Sequence, residues 1–391
     1  MGPFWKRNEK MEEKDGLYTL YLYHISYFSG KMEAYLHYKE VPLKIEEPHW
    51  LKMAWDIYNE TGLMKVPVVK TPEGEWLQDT TPMIFWFEKK FPDYPILPEN
   101  KTLAFILKLL EDYADEWLWR PALHYRWSYK EDAMALSQRF SETFLRFPLI
   151  PNFLIAWNLR RRQRQVYIEG DGVSKETWNH VESIYLNNLK WLSDILENQP
   201  FLFGTKPSLM DFGFYASMKK HFSKDPTPSK IMKEKAPKVF EWVQRLGQVK
   251  GSQVQGSFLD SIPENFGPLL KDCGEAYLPY LKDNALAYKE GLKTFNCTVQ
   301  GVTYKNLPVY PYRVWCREKI QEAFLNLPEI NKKEVEALLN KYDCLKPLLS
   351  GGTISSNLHK FNQPPFCPKK SPSLFKKLKL ALFGTAWEKE D

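Results

Sequence analysis

The strongest constraint on the fold is a change in the spacing of apolar residues near residue 100. Between Leu17 and Phe87, short apolar runs of strand length alternate with stripes of apolar residues at helical spacing. The predicted order of elements is β-α-β-α-β-β-α. From Lys101 to Gly247, apolar residues recur at helical steps of three and four. This pattern predicts a compact α/β unit followed by an all-helical bundle.

Length and composition allow two packed domains and an extension. The chain has 391 residues, which is too many for one small core. Apolar residues make up 43% of the chain and aromatic residues 15%, so there is ample material for packed cores and the bulk is not disordered. The net charge of +6 is mild, and it does not by itself indicate nucleic-acid binding, because a binding face needs concentrated basic residues.

Cysteine placement and hydropathy predict a soluble, cytoplasmic protein. The spacing of the cysteines fits neither a disulfide framework nor a CxxC metal site. The N-terminus lacks the apolar segment of a secretory signal, and no apolar run approaches the roughly 18 residues of a membrane span. The first cysteine comes late in the chain, and the five are Cys273, Cys297, Cys316, Cys344 and Cys367.

The chain after Gly247 predicts a third region beyond the helical bundle. The segment Gly247–Gly256 has the composition of a linker. The elements predicted after it are helices at 276–291, Arg313–Asn326 and Asn331–Asn340, the last capped by Asn331, and a hairpin of Thr294–Val299 and Val302–Tyr304. The predicted division is a lead-in at 1–16, an α/β domain at 17–93, a helical domain at 101–247, an α+β extension at 257–345 and an irregular tail at 346–391.

Four short motifs occur in a fixed order along the first two regions. They are Ser26-Tyr27-Phe28-Ser29, Lys65-Val66-Pro67-Val68, Leu77-Gln78-Asp79-Thr80 and Ser208-Leu209-Met210-Asp211. No single motif is specific, but with this order and separation the chain resembles the cytosolic glutathione S-transferase superfamily over about residues 17–247. The resemblance implies a thioredoxin-like N-terminal domain followed by a transferase-type helical bundle, and it leaves the α+β extension outside the family pattern.

The resemblance implies a binding site for glutathione as co-substrate. Pro67 matches the family's cis-proline, which would turn the main-chain groups of Val66 toward the cysteinyl backbone of glutathione. Asp79 and Thr80 stand where the family usually has Glu-Ser or Gln-Ser, and they would hold the γ-glutamyl end at the start of a helix. A plain helix N-cap is the alternative interpretation of both residues.

Activation of the glutathione thiol is expected from Ser29 or Tyr27. Ser29 matches the serine or cysteine position of one group of classes, and Tyr27 fits the start of the tyrosine-type classes. The sequence leaves three interpretations open, in which Ser29, Tyr27 or neither supplies the hydroxyl. Cysteine-type chemistry through a mixed disulfide is not expected, because no cysteine lies near residue 29.

The aromatic and charged stretch around residue 117 is the candidate pocket for an electrophile. In the family this helix lines that pocket and borders the dimer interface, so Tyr113, Trp117, Trp119 and Arg120 are candidate wall residues. Core packing explains them equally well. The acidic residues near His124 lack the spacing of a metal site, so no metal is expected.

Two basic segments are candidate contact surfaces. Arg160–Arg164 fits an anionic ligand, an acidic partner, a phospholipid surface or a solvated helix end. The tail at 374–383 fits a peripheral membrane contact or docking on the protein itself. A homodimer is also compatible with the resemblance, whereas no nucleic-acid platform is indicated.

The sequence therefore predicts a glutathione transferase of the detoxification type, which conjugates glutathione to a small electrophile. The competing prediction is a catalytically inactive binding or scaffold protein on the same fold, whose extension engages a partner or a membrane surface. Three departures from the family pattern favour the competing prediction. They are Tyr27 in place of proline, the Asp79-Thr80 pair, and the long extension after Gly247.

Overall fold

The N-terminal region folds as a four-stranded mixed sheet with helices on both faces. A computed structural model of the chain describes residues 16–143 and 151–358. The elements of this first region are β1 (Tyr18–Tyr21), α1 (Tyr27–Tyr38), β2 (Leu43–Glu46), α2 (50–61, with a π-helical turn at Met53–Ile57), β3 (Val68–Lys70), β4 (Trp76–Gln78) and α3 (Thr80–Lys90).

The strand order of this sheet is β2-β1-β3-β4. Strand β1 pairs parallel with β2 and antiparallel with β3, and β3 pairs antiparallel with β4. Alternate residues of β1 face opposite sides, so Leu20 joins the core beneath α1 and α3, whereas Tyr21 packs with Ile57 of α2. This is the predicted β-α-β-α-β-β-α order, and it confirms the thioredoxin-like fold of the N-terminal domain.

The second region is helical throughout the part that the structure describes. Its helices are α4 (Lys101–Glu116), α5 (Trp119–Ser128), α6 (Lys130–Thr143), α7 (152–168, ending in a π-helical turn at Arg164–Ile168), α8 (Trp178–Ile195), α9 (209–222, ending in a π-helical turn at Met218–Phe222), α10 (Pro226–Lys235) and α11 (Pro237–Leu246). The buried apolar residues of α8, which include Val181, Tyr185, Leu189 and Leu192, are spaced at helical steps and form its core-facing side.

Helix α9 begins with a reciprocal capping box formed by Ser208 and Asp211, the two ends of the fourth sequence motif. The Ser208 side chain accepts from the main-chain N–H of Asp211, and Asp211 accepts from the N–H of Ser208 at 2.9 Å. The buried Asp211 carboxylate also accepts from the Leu202 N–H and the Trp242 indole, each at 2.8 Å. One side chain therefore ties the start of α9 to the preceding loop and to α11.

The extension forms a third unit of helices and one hairpin. Its elements are α12 (267–289, with a π-helical turn at Cys273–Tyr277), β5 (Thr294–Val299), β6 (Val302–Pro308), α13 (Pro311–Leu325), α14 (Glu329–Lys341) and α15 (Leu345–Leu349). The hairpin is present as predicted, and β6 runs four residues further than the sequence indicates. The basic tail at 374–383 lies outside the described residues.

Helix α14 packs on the outer side of α4. Thr102 donates its hydroxyl to Glu334 at 2.5 Å and accepts from the Asn331 amide at 3.1 Å, while Phe105 of α4 meets Phe324 of the neighbouring helix α13. Helix α14 begins at Glu329, so the prediction of Asn331 as its N-cap is wrong. Asn331 bonds across the interface instead, and that contact is not visible in local sequence.

The segment after Gly247 lies against both earlier regions. The N–H of Ser252 donates to the Glu40 carboxylate at 2.9 Å, and the N–H of Thr205 donates to the Ser257 carbonyl at 3.0 Å.

Within the described ranges, no helix combines the length and apolar character needed to cross a membrane.

Candidate functional site

The β3–β4 hairpin positions two backbone segments at one end of the sheet. Val68 pairs with Gln78, so Val66 and Thr80 lie two residues beyond that pair, at the same end of the hairpin. The Gln78 amide donates to the Lys65 carbonyl at 3.1 Å and fixes the loop before β3. The Val66–Pro67 peptide bond is cis. Neither the N–H nor the C=O of Val66 bonds to any described part of the chain.

Helix α3 begins at this end of the sheet with an open first turn. No side chain caps it, and the N–H groups of Thr80 and Thr81 have no partner among the described residues. Uncapped N–H groups at a helix start carry partial positive charge and bind anions. The preceding residue, Asp79, has a φ of 73°, a left-handed conformation that is unfavourable for a residue with a side chain. The Asp79 carboxylate does not cap the helix.

Helix α1 brings Ser29 to the same end of the sheet, in its first turn. The Ser29 hydroxyl accepts from the Tyr23 N–H at 3.4 Å, which leaves its own proton free to donate. The side chain is fully buried in this structure. As in α3, no side chain caps the helix and its first turn has no acidic residue. A negative sulfur placed here would be stabilised by both the hydroxyl and the helix start.

Tyr27 points into the protein core and away from the cleft. Its hydroxyl donates to the Ala114 carbonyl at 2.6 Å, and the side chain is buried. Burial, and then the nearby Asp115 carboxylate, raise the pKa of Tyr27 well above its usual value. The structure thus brings Ser29 together with Val66, Pro67, Asp79 and Thr80, but it places the Tyr27 hydroxyl elsewhere.

The extension reaches the cleft through the first turn of α13. The Tyr312 hydroxyl donates to the Asp79 carboxylate at 2.9 Å, and Arg313 pairs with Glu116 of α4 at 3.3 Å. The buried Cys316 thiol follows one turn later, where burial and the acidic side chains of Asp112, Glu116 and Asp79 raise its pKa well above the usual value. The extension therefore supplies one wall of the cleft.

Burial changes the titration of two groups in this cleft. Burial raises the pKa of Asp79 to about 6, although the hydrogen bond from Tyr312 and the Lys31 charge lower it. Burial lowers the pKa of Lys65 to about 8, although Glu116 and Asp79 raise it. Asp79 is accordingly ionised at neutral pH and loses its charge in mildly acidic solution.

Three of the candidate electrophile-pocket residues lie beneath the extension. Tyr113 donates to Asp272 at 2.7 Å, the Trp117 ring lies 5.6 Å from that of Tyr280, and the Arg120 guanidinium lies over Tyr304. All three candidates are buried. They line no open pocket in this closed arrangement.

A partly exposed aromatic cluster lies at the start of α1 and includes Phe28, the residue before Ser29. Phe28, next to Ser29 in α1, stacks on Trp119 with ring centres 5.8 Å apart. The Tyr167 ring meets Trp119 edge-on at 6.0 Å. Of these three residues, the sequence singled out Trp119 alone, because Phe28 and Tyr167 carry no local signal of a pocket and meet only through the packing of α1, α5 and α7.

The acidic residues of α4 form pairs with neighbouring side chains. Glu111 and Asp115 contact Lys31, and Asp112 accepts from the Tyr277 hydroxyl. His124 bonds to Ser128 at 3.0 Å and to Glu182 at 3.3 Å. In the described ranges, no group of three or more His, Cys, Asp or Glu side chains is arranged to hold a metal ion.

Comparison with known proteins identifies the N-terminal domain. Residues 20–95 match the family described as glutathione S-transferase, N-terminal domain. Curated protein sequences gave no match. The fold and the sequence match together define a thioredoxin-like domain of the transferase type. The match assigns this domain, and not the rest of the chain, to the glutathione S-transferase family.

Several solved structures are similar to about three-fifths of this chain. A glutathione S-transferase from Rhodospirillum rubrum F11 shares 12% identity, with a TM-score of 0.40 and coverage of 59% of this chain and 90% of that one. The β-etherase LigF from Sphingobium sp. strain SYK-6 shares 18% identity, with a TM-score of 0.42 and coverage of 59% and 94%. A glutathione S-transferase from Methylobacterium radiotolerans in complex with glutathione sulfonate shares 18%, with a TM-score of 0.37 and coverage of 63% and 98%.

Proposed function

We propose that the cleft between the β3–β4 hairpin and the starts of α1 and α3 binds glutathione. The observation that carries this proposal is the unpaired main chain of Val66 beside the open first turn of α3 at Thr80 and Thr81. An extended peptide pairs with exposed main-chain groups as an added strand does, which suits the cysteinyl backbone at Val66. The uncapped helix start suits the γ-glutamyl carboxylate.

Asp79 completes the proposed recognition of the γ-glutamyl end. That end carries an ammonium group next to its carboxylate, so it needs a negative acceptor beside the helix start. The Asp79 carboxylate lies there and is ionised above pH 6. Charge-assisted hydrogen bonds of this kind are stronger than neutral ones. Glutathione binding is accordingly expected to strengthen as the pH rises from 5 to 7.

The proposed reaction is conjugation of the glutathione sulfur to a small electrophile. A free thiol has a pKa near 8.5, and lowering it by about two units needs roughly 2.7 kcal/mol of preferential thiolate stabilisation. The Ser29 hydroxyl and the start of α1 supply such stabilisation. The thiolate then forms a bond to the electrophilic carbon while the leaving group departs with its electron pair. Phe28, Trp119 and Tyr167 are the proposed wall for an apolar electrophile.

Replacing Ser29 tests this assignment. Ser29→Ala should lower kcat/KM for conjugation of 1-chloro-2,4-dinitrobenzene by about 10- to 100-fold, because one hydrogen bond to a charged sulfur is lost. The pH at which the bound thiol ionises should rise in the same variant. Tyr27→Phe is the comparison and should retain conjugation activity, since that hydroxyl bonds inside the core. Full activity in Ser29→Ala would remove Ser29 from the mechanism.

A second candidate function is favoured by the contacts of the extension. Tyr312 already donates to Asp79, and Ser29 has no exposed surface in this structure. Both observations fit a binding or scaffold protein whose cleft is closed by its own extension. A glutathione titration followed by NMR separates the candidates. Shifts at Val66 and Asp79 at millimolar ligand support the glutathione site, and their absence supports the closed protein.

Tyr312→Phe is expected to strengthen glutathione binding about fivefold. The substitution frees the Asp79 carboxylate from a neutral donor, which is worth about 1 kcal/mol for a hydrogen bond of this kind. Isothermal titration calorimetry measures the change. Tyr288→Phe is the matched control, because the Tyr288 hydroxyl donates to the Ser356 carbonyl at 2.8 Å and not to Asp79. Weaker binding in Tyr312→Phe would mean that the phenol supports the ligand.

A further inference from the structure

Helix α7 exposes three large apolar side chains near its start. Phe153 is 70% exposed, Leu154 46% and Trp157 53%, whereas most residues of this size are buried in the described part of the chain. The first turn of the helix contains no acidic residue. Single exposed apolar residues are ordinary, but several on one helix segment mark a contact surface.

These side chains share one face of α7 with two arginines. At 100° per residue, Phe153, Leu154, Trp157, Arg161 and Arg164 fall within a single arc of about 100°. The buried Ala156 and Leu159 lie on the opposite side, where the helix packs on the protein. We call the five exposed residues the α7 face. Its apolar part lies at the start of the helix and its basic part follows.

The charge of the α7 face is positive without compensation from its own helix. Residues 152–168 contain four arginines and no aspartate or glutamate. Arg160 is engaged by the protein, since it donates to Ser137 at 2.7 Å. The Arg161 guanidinium lies over the Trp157 ring, 5.8 Å from its centre. An anionic surface is therefore the complement of this face.

The composition of the α7 face favours a lipid surface over a second copy of the chain as its partner. In a twofold dimer the same face meets itself, so its arginines would lie opposite arginines or against apolar side chains, and neither arrangement supplies an anionic partner for them. At a bilayer, tryptophan and phenylalanine enter the interface while arginines stay at the level of the phosphate groups. The lipid surface satisfies both parts of the face at once.

We propose that the α7 face docks this protein on the surface of an anionic phospholipid bilayer. Phe153, Leu154 and Trp157 enter the boundary between headgroups and acyl chains, and Arg161 and Arg164 contact lipid phosphates. The contact is peripheral and leaves the helix parallel to the membrane. It involves none of the residues that border the proposed glutathione cleft at Val66 and Asp79, so it stands independently of the proposed function.

Vesicle co-sedimentation of the full chain tests this proposal. The protein should bind vesicles of phosphatidylserine and phosphatidylcholine at 30:70 at least tenfold more tightly than pure phosphatidylcholine vesicles. Phe153→Ser with Trp157→Ser, and separately Arg161→Glu with Arg164→Glu, should each reduce binding at least tenfold. The control for apolar exposure is Ile330→Ser, at a residue 71% exposed in the extension. The control for charge is Lys230→Glu with Lys333→Glu, whose side chains are 77% and 73% exposed.

Three outcomes would overturn the proposal. Undiminished vesicle binding in both α7 variants would place the contact elsewhere in the chain. Equal binding to neutral and anionic vesicles would remove the role of the arginines. Absence of vesicle binding, together with a dimer in analytical ultracentrifugation that Trp157→Ser dissociates, would make the α7 face an interface between copies. Circular dichroism of each variant verifies that helix content is unchanged.

Discussion

Asp171→Ala is expected to lower the free energy of unfolding by about 3–5 kcal/mol. The Asp171 carboxylate lies between two buried guanidinium groups. Arg120 donates to the Asp171 carboxylate at 3.1 Å and to the Asp171 main-chain carbonyl at 2.9 Å. The Arg313 guanidinium lies 3.5 Å from the same carboxylate. Both arginines and Asp171 are almost inaccessible to water. Removing the carboxylate leaves two cations in a medium of low dielectric, and among the described residues Glu116 is the one acidic side chain still paired with them.

Chemical denaturation at pH 7 measures this loss of stability. Two further variants test its cause, one as a control and one as a partial rescue. Glu197→Ala removes a salt bridge to Lys238 whose side chains are 60% and 43% exposed, and it should cost less than about 1 kcal/mol. Arg120→Met in the Asp171→Ala background removes one unpaired cation and should recover part of the lost stability. A loss below about 1 kcal/mol in Asp171→Ala would show that water reaches this cluster.

Lys31→Met is the second substitution with a large expected effect, again about 3–5 kcal/mol of unfolding free energy at neutral pH. Lys31 of α1 pairs with Glu111 and Asp115 of α4, and it donates to Thr81 of α3 at 3.1 Å. Burial lowers the pKa of Lys31, but the two carboxylates raise it by a larger amount. The net pKa is therefore raised and Lys31 stays charged. Without it, two buried carboxylates lose their counter-ion.

The sign of the pH dependence follows from the carboxylates. Burial already raises the pKa of Asp115 well above its usual value, against the lowering effect of Lys31. In Lys31→Met that pKa rises further, and a carboxyl with a raised folded-state pKa stabilises at low pH and loses this contribution as the pH rises. The penalty of Lys31→Met should therefore shrink between pH 7 and 5.

A partly exposed lysine of the same domain is the control for Lys31→Met. Lys52 pairs with Glu46 at 2.7 Å, and their side chains are 27% and 26% exposed. Lys52→Met should change the unfolding free energy by less than about 1 kcal/mol, with little dependence on pH. Equal losses in the two lysine variants, or a penalty in Lys31→Met that is the same at pH 5 and 7, would contradict the assigned role of Lys31.

The sequence predicts the fold of this chain well because its signals are local. The alternation before residue 91 and the helical stripes after it each reflect the face of one element that enters the core. The capping box at Ser208 and Asp211 likewise depends on residues three apart. The boundaries of α14 are less predictable. Asn331 is a residue type that often caps helices, but here its side chain donates to Thr102 instead.

The site is only partly predictable, because some of its contacts join residues that are distant in the sequence. Val66, Asp79 and Ser29 belong to short motifs whose spacing survives in the sequence. Tyr312 lies 233 residues after Asp79, and no local pattern indicates that the two meet. The buried position of the Tyr27 hydroxyl is also decided by α4, since its partner is the Ala114 carbonyl. The secondary structure of this chain is predictable from its sequence, whereas the contacts between its regions are not.

The hydrogen bond from Tyr312 makes the extension an intramolecular competitor for Asp79. A donor tethered to the same chain acts at an effective concentration far above that of a free ligand of equal strength. Under the proposed function, the apparent dissociation constant for glutathione equals the intrinsic constant divided by the fraction of molecules in which α13 has released Asp79. Any partner that binds α13 in its released form would then raise glutathione affinity without touching the cleft.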